Sequence, residues 1–170
     1  MYGLRAVVHT LDRITDISGR LLAWLALGMA ALTAFIVVMR YGFNYNSIYV
    51  QELVTYLHGS LFMLGSAYAL KQGAHVRVDI FYRNFSARAK AWVNALGGIV
   101  FLMPFCLFVA GVSWQFVAEA WAIGEISSEP GGIPAVYLLK TLIPLMALNL
   151  LLQGTAETLR STLVLVEGEA

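Results

Sequence analysis

Four long apolar stretches divide this chain, and the charged residues fall in the segments that connect them. The first stretch, residues 21–39, contains no charged residue, and at 1.5 Å of helical rise per residue it extends about 29 Å. A helix of about 20 apolar residues is what crossing the hydrocarbon core of a bilayer requires. The chain is therefore expected to be an integral membrane protein.

The three later stretches also predict helices that cross a membrane. The second, residues 53–70, is uncharged apart from the titratable His58. The third, residues 91–118, would extend about 42 Å as one helix, so it should tilt, bend at Pro104 or project beyond the lipid. The fourth runs from about residue 133 to residue 156.

The composition supports one all-α transmembrane domain. Hydrophobic residues make up 59% of the 170 residues and charged residues 12%, which leaves little for a separate soluble domain. With their polar ends included, the helices are expected at about 19–40, 47–70, 91–121 and 133–159. A formal net charge of +1 argues against nucleic acid as a partner.

The basic residues predict which ends of the helices face the cytoplasm. Nine of the 11 Lys and Arg residues lie in the N-terminal segment, the connection between the second and third helices, or the C-terminal tail. Short segments rich in Lys and Arg stay in the cytoplasm, so both termini and the middle connection are expected inside. In a bacterium this orientation places the protein in the inner membrane, with its two other connections in the periplasm.

An amphipathic segment is expected at the membrane interface after the second helix. Its apolar side chains recur at helical spacing, with basic residues among the polar positions. Such a segment can lie in the headgroup layer with its cations facing anionic lipid. The candidates for headgroup contact are Arg77, Arg83, Arg88 and Lys90, and Asp79 is expected to pair with a nearby cation. A simple interfacial elbow without a recognition role is the preferred interpretation.

Acidic residues gather near the predicted periplasmic ends of the helices. Glu52 lies in the first turns of the second helix, where the positive end of the helix dipole favours a carboxylate. Glu125 and Glu129 precede the Gly-Gly pair of the turn between the third and fourth helices. With Arg40 and Lys140 they are candidates for contacts with a partner, although solvated acids beside a turn would give the same pattern.

His58 is the most unusual residue at membrane depth. It lies about 16 Å along its helix if that helix begins near Ser47, which places it close to the bilayer centre. A proton relay is one interpretation, because ionisable residues inside membranes are often functional. A neutral imidazole hydrogen-bonded to a neighbouring helix is preferred, since no Asp, Glu, Lys or second His is expected at that depth.

Several classes of membrane protein are disfavoured by what the sequence contains. Cys106 is the single cysteine, so neither a disulfide-forming enzyme nor a multi-thiolate metal site is expected. A haem-binding anchor of a redox complex is the main alternative, because four-helix bundles often hold haem between two His ligands. However, His9 and His75 are expected on the cytoplasmic side. The sequence favours an accessory subunit that is not an enzyme and needs no cofactor.

Four motifs follow one another along the chain: RYGFN at 40–44, QELVTYLHGSLFMLGSAYALKQGAHVRVDIFY at 51–82, EPGGIPAVYLLKTLIP at 129–144 and LQG at 152–154. Together they resemble the small membrane subunit, of the DctQ type, of tripartite ATP-independent periplasmic (TRAP) transporters. The most specific parts are HVRVDIFY and PGG-x-P. Their order and spacing among four helices carry the resemblance, which covers nearly the whole chain.

The resemblance implies a scaffold subunit of a three-component secondary transporter. In such a system a periplasmic binding protein of the DctP type captures an organic acid or related solute, and a large membrane subunit of the DctM type moves it with sodium by an elevator motion. The expected partners are these two proteins and membrane lipid. The candidate partner-interface residues are Arg40, Glu52, His58, Asp79, Glu125, Glu129 and Lys140.

Overall fold

The computed structural model describes residues 2–75 and 82–168, which form helices joined by turns. The helices are α1 (Tyr2–Gly42), α2 (Ile48–Lys71), α3 (Ala87–Gly97), α4 (Met103–Ile123) and α5 (Val136–Glu167). A short π-helical turn, Gly98–Leu102, joins α3 to α4, so these two form one continuous rod. Parts of the predicted interfacial segment, including Arg77 and Asp79, lie outside the described residues.

Four spans in this structure are long and apolar enough to cross a membrane. They are α1, α2, the α3–α4 rod and α5. Within a regular helix the backbone N–H and C=O groups pair inside the same segment, and that is the condition for passing through hydrocarbon. The prediction of an all-α fold with four transmembrane helices is confirmed.

Helix α1 is much longer than the apolar stretch that predicted it. It begins at Tyr2, well before the expected start at about residue 19, and contains 41 residues. At 1.5 Å per residue it extends about 60 Å, roughly twice the hydrocarbon thickness. The helix extends this far because no proline interrupts residues 2–20, and because its polar residues there bond to other helices, as described below.

The irregular turn before α4 is explained by Pro104. Proline has no N–H, and its ring crowds the carbonyl group four residues earlier, so the regular hydrogen-bond pattern cannot continue through it. The N–H of Met103 instead bonds to the carbonyl of Gly98, five residues earlier, which is the π-helical spacing. The rod therefore continues through Pro104, with its irregularity confined to the preceding turn.

Helix α5 is the central element of the bundle and contacts α1, α2, α3 and α4. Its packing surface includes several small residues, which allow helix backbones to approach closely in membranes. A Cβ atom on Gly154 would lie 2.6 Å from the Leu102 side chain, and one on Gly98 would overlap the Thr158 side chain. These two glycines therefore set the distance between α5 and the α3–α4 rod.

Candidate partner-facing surfaces and the polar clusters behind them

Five polar residues of α1 and α5 form a group that we call the inner polar cluster: Asp12, Thr15, Gln153, Glu157 and Arg160. The Gln153 side chain is fully buried, with 0% of the residue exposed, and its amide oxygen accepts a hydrogen bond of 2.7 Å from the Thr15 hydroxyl. Its amide nitrogen donates to Asp12 at 3.2 Å and to Glu157 at 3.1 Å. Arg160 donates to the same two carboxylates, at 2.6 Å in each case.

This cluster fastens the N-terminal half of α1 to the rest of the bundle. Arg160 and the Gln153 amide both donate to the carboxylates of Asp12 and Glu157. The buried polar groups of the cluster therefore have hydrogen-bond partners. Lys71, at the end of α2, extends the connection by pairing with Asp16 at 2.6 Å and by donating to the Asp12 carbonyl oxygen at 3.1 Å. Three helices are thereby joined at one end of the bundle.

At the opposite end, Glu52 anchors the connection between α4 and α5, which we call the outer loop (residues 124–135). One carboxylate oxygen of Glu52 accepts a hydrogen bond from the Ser127 hydroxyl, and the other accepts one of 2.6 Å from the Ile133 backbone N–H. Ser127 also accepts a bond of 3.1 Å from the Glu129 backbone N–H. One side chain of α2 therefore holds the loop at two points.

The outer loop contains a tight turn at its centre. The Gly132 N–H bonds to the Glu129 carbonyl at 3.0 Å, and Gly131 has a φ of 79°, in the left-handed region that favours glycine. Pro130 before this glycine matches the preferred sequence of a type II turn. The turn and the bonds to Glu52 together give the loop a defined conformation. In this conformation the Ile126 residue is 63% exposed.

Lys140 and Glu125 connect the end of α4 to the start of α5. Their charged atoms lie 2.5 Å apart, and the Lys140 ammonium also lies 3.9 Å from the centre of the Phe116 ring. Nearby, the Trp121 indole N–H donates to the Thr141 hydroxyl at 2.9 Å. The partners of Lys140 within this bundle account for its position at the end of a membrane helix.

The structure separates the remaining interface candidates. The carboxylate of Glu129 is exposed and has no partner among the described residues, whereas the other outer-loop acid, Glu125, is occupied by Lys140. Arg40 is exposed near the end of α1, with its guanidinium 6.0 Å from the centre of the adjacent Tyr41 ring. Asp79 lies outside the described residues.

His58 is exposed on the outer surface of α2 and does not bond to another helix in the described part of the chain. Its ring lies 6.3 Å from the ring of Phe62, centre to centre, at an interplanar angle of 19°. The expectation that the imidazole bonds to a neighbouring helix is therefore not met within this bundle. Apolar periodicity in α2 does not reveal this orientation, because the helix is apolar on most sides.

The basic residues around the start of α3 lie at or near the surface. Arg83 and Arg88 are exposed, while Lys90 donates to the Arg83 carbonyl oxygen at 3.4 Å and lies 5.6 Å from the centre of the Tyr82 ring. Arg77, the fourth headgroup candidate, lies outside the described residues. Among the residues that the structure does describe, no three His, Cys, Asp or Glu side chains are grouped so that they could hold a metal ion.

The roles of Asp12 and Arg160 are absent from the expectations drawn from sequence. A signal for them does exist, because Gln153, Glu157 and Arg160 recur every three or four residues and so line one face of an otherwise apolar helix. Such a polar face at the end of a membrane helix indicates a bonded partner elsewhere in the chain. The sequence does not identify that partner as Asp12, which lies 148 residues away.

The family model for the DctQ component of tripartite ATP-independent periplasmic transporters matches residues 29–163. The chain belongs to this family. A protein of Haemophilus influenzae that bears the name of a TRAP transporter small permease protein is 27% identical over 130 residues, covering 76% of this chain and 79% of that protein. No solved structure matches the chain.

Membership in the DctQ family makes this chain a component of a transporter and a multi-pass membrane protein. The resemblance found in the sequence motifs is thereby confirmed. The alternative of a haem-binding redox anchor is not favoured, because both matches are to TRAP transport components.

Proposed function

We propose that this chain is the non-catalytic scaffold subunit of a TRAP transporter. In this proposal it supports a large DctM-type subunit, which takes up an organic acid or related solute together with sodium. A DctP-type binding protein delivers the solute from the periplasm. The observation that carries the proposal is the distribution of polar contacts, since the chain uses its clustered polar groups to hold its own helices together.

The outward surface of the bundle at membrane depth is largely apolar. Phe101, Phe108 and Trp114 on the α3–α4 rod are 67–74% exposed. An open groove of about 510 Å³ between α4 and α5 is likewise lined mainly by apolar side chains. Extensive apolar surface on a bundle with a bonded polar cluster at each end suits a rigid element that contacts lipid and a membrane partner.

Both chain termini belong to the same end of the bundle, which supports the proposed topology. Arg5, near the start of α1, and Glu167, at the end of α5, form an ion pair of 2.5 Å. This end also carries Lys71 and Arg160, and short segments rich in Lys and Arg remain in the cytoplasm. We therefore place both termini in the cytoplasm and the outer loop in the periplasm of a bacterial inner membrane.

The outer loop is the proposed receiving surface for the binding protein. Its exposed positions include Ile126, Glu129 and Pro130. Its backbone donates a hydrogen bond to the Glu52 carboxylate of α2. A surface that is ordered before binding loses less conformational entropy when a partner docks. The Glu129 carboxylate suits a basic residue on that partner.

Reconstitution in liposomes tests the scaffold proposal. The full chain alone should give no solute uptake, while the chain with its DctM-type and DctP-type partners should give uptake that depends on a sodium gradient. Liposomes containing only the DctM-type subunit and the binding protein are the matched control, and they should transport less than the complete set. Uptake by this chain alone, or full transport without it, would contradict the proposal.

Cysteine labelling tests the topology in intact cells. In a Cys106→Ala background, Ser128→Cys on the outer loop should react with a membrane-impermeant maleimide. By contrast, Gly168→Cys should react only after the membrane is opened. Equal labelling of both positions in sealed cells would refute the proposed orientation.

A further inference from the structure

One face of α2 exposes three polar side chains and one aromatic ring. Gln51, Thr55, His58 and Phe62 are all exposed, and Phe62 is exposed by 72%. Their spacing of four, three and four residues places them along one side of the helix. We call this surface the α2 polar face.

Two of these polar residues already have partners within the chain. The Gln51 amide donates to the Asn46 side-chain oxygen at 2.5 Å, and the Thr55 hydroxyl makes a long bond of 3.5 Å to the Gln51 carbonyl. Both residues also lie in the first two turns of α2, near the predicted membrane boundary. The unmet hydrogen-bonding capacity of the α2 polar face is therefore concentrated at His58.

His58 lies ten residues after the start of α2, which is about 15 Å along the helix and close to the middle of a 30 Å hydrocarbon layer. Its ring contacts Phe62, but its nitrogens have no hydrogen-bond partner among the described residues. Lipid chains cannot supply one, and an unpaired polar group in hydrocarbon is strongly unfavourable. Ionisable residues in membrane helices almost always face protein or a water-filled cavity.

The neighbours of His58 show why its own chain cannot cover it. The side chain of Leu57 lies next to Gly28 of α1, and Gly59 faces the side chain of Leu139 on α5. The α2 surface at Leu57 therefore packs against α1, and the surface at Gly59 packs against α5. His58 lies on the side of α2 that faces neither helix.

We propose that the α2 polar face is the contact surface for the large DctM-type subunit. A transmembrane helix of that subunit would place a hydrogen-bonding side chain opposite His58, while Thr55 and Phe62 pack on either side of this bond. This inference rests on the proposed function. It assigns the partner surface to one face of one helix and gives His58 a role in assembly.

Co-purification of the full chain with its co-expressed DctM-type partner in mild detergent tests the proposal. His58→Leu removes both ring nitrogens and should weaken retention of the partner about tenfold, the loss expected for one interhelical hydrogen bond. His58→Gln keeps a donor and an acceptor at this position, so it should retain the partner to within about threefold of the unsubstituted chain. Phe35→Leu, at an exposed position on α1, is the matched control and should leave retention unchanged.

Thermal unfolding of each variant without the partner separates assembly from folding. Because His58 is exposed and unpaired in this chain, His58→Leu should unfold at the same temperature as the unsubstituted chain in detergent. A clear loss of stability in the isolated variant would show that His58 bonds within its own chain, and the inference would fail.

Disulfide cross-linking identifies what covers the face. In the Cys106→Ala background, Thr55→Cys should cross-link to cysteines introduced along a helix of the DctM-type subunit. Cross-linking to a second copy of this chain instead, or retention of the partner by His58→Leu at the unsubstituted level, would overturn the inference. If the unsubstituted chain itself retains no DctM-type protein, it is the proposed function that fails.

Discussion

Replacing Gln153 by leucine should destabilise the bundle, because this residue is the buried centre of the inner polar cluster. Leucine fills a similar volume and favours helix, so the main effect is the loss of three hydrogen bonds. The Thr15 hydroxyl, on a residue only 7% exposed, would lose its acceptor, which costs about 1–3 kcal/mol for a buried polar group. The two carboxylates keep Arg160, so their lost bonds add only about 1 kcal/mol together.

The predicted loss in free energy of unfolding is therefore about 3 kcal/mol. Equilibrium unfolding of the purified chain in mixed micelles measures it. Asn149→Leu on the same helix is the matched control, because Asn149 has no hydrogen-bond partner among the described residues, and its effect should stay within about 0.5 kcal/mol. Adding Thr15→Val to Gln153→Leu should cost little more, because the two residues share a bond. Equal effects of the Gln153 and Asn149 replacements would refute the reasoning.

Two further predictions concern the outer loop and the contact between α5 and the rod. Glu52→Ala should speed amide hydrogen exchange at the Ile133 N–H by at least about tenfold, because this N–H loses its acceptor. The control Glu129→Ala should leave this exchange rate unchanged. Unchanged exchange in the Glu52 variant would show that Glu52 does not hold the loop. Gly98→Ala should lower the free energy of unfolding by about 1–3 kcal/mol, because its methyl group overlaps the Thr158 hydroxyl. Adding Thr158→Ala should recover most of the lost free energy of unfolding. If it does not, the overlap with Thr158 is not the cause of the loss.

Much of the architecture could be predicted from the sequence because membrane crossing depends on local properties. The length and apolar character of residues 21–39 are enough to identify a span, and no distant contact is needed to interpret them. The same holds for Pro104, whose missing N–H disturbs its own helix. The full extent of α1 was harder to predict, since the polar first half of that helix is held by bonds to distant residues.

The candidate residues near the outer ends illustrate the limit of such predictions. Glu125 and Lys140 were both proposed as partner contacts, and the sequence did not show that they bond to each other. Glu52 was explained by the helix dipole and proposed as a partner contact, and the structure shows that its carboxylate holds a loop some 75 to 81 residues further along the chain. Spacing along a sequence does not reveal which polar groups meet across a bundle.

The amino-acid sequence by itself determined the number of membrane-crossing helices and, through ordered motifs, the DctQ family. Both follow from properties that are local or that recur along the chain. Only the tertiary structure decided that Asp12 meets Arg160, that Glu52 holds the outer loop and that His58 points outward. Those outcomes depend on how each helix is rotated about its axis, and a helix that is apolar on nearly all sides leaves that rotation to be set by packing against its neighbours.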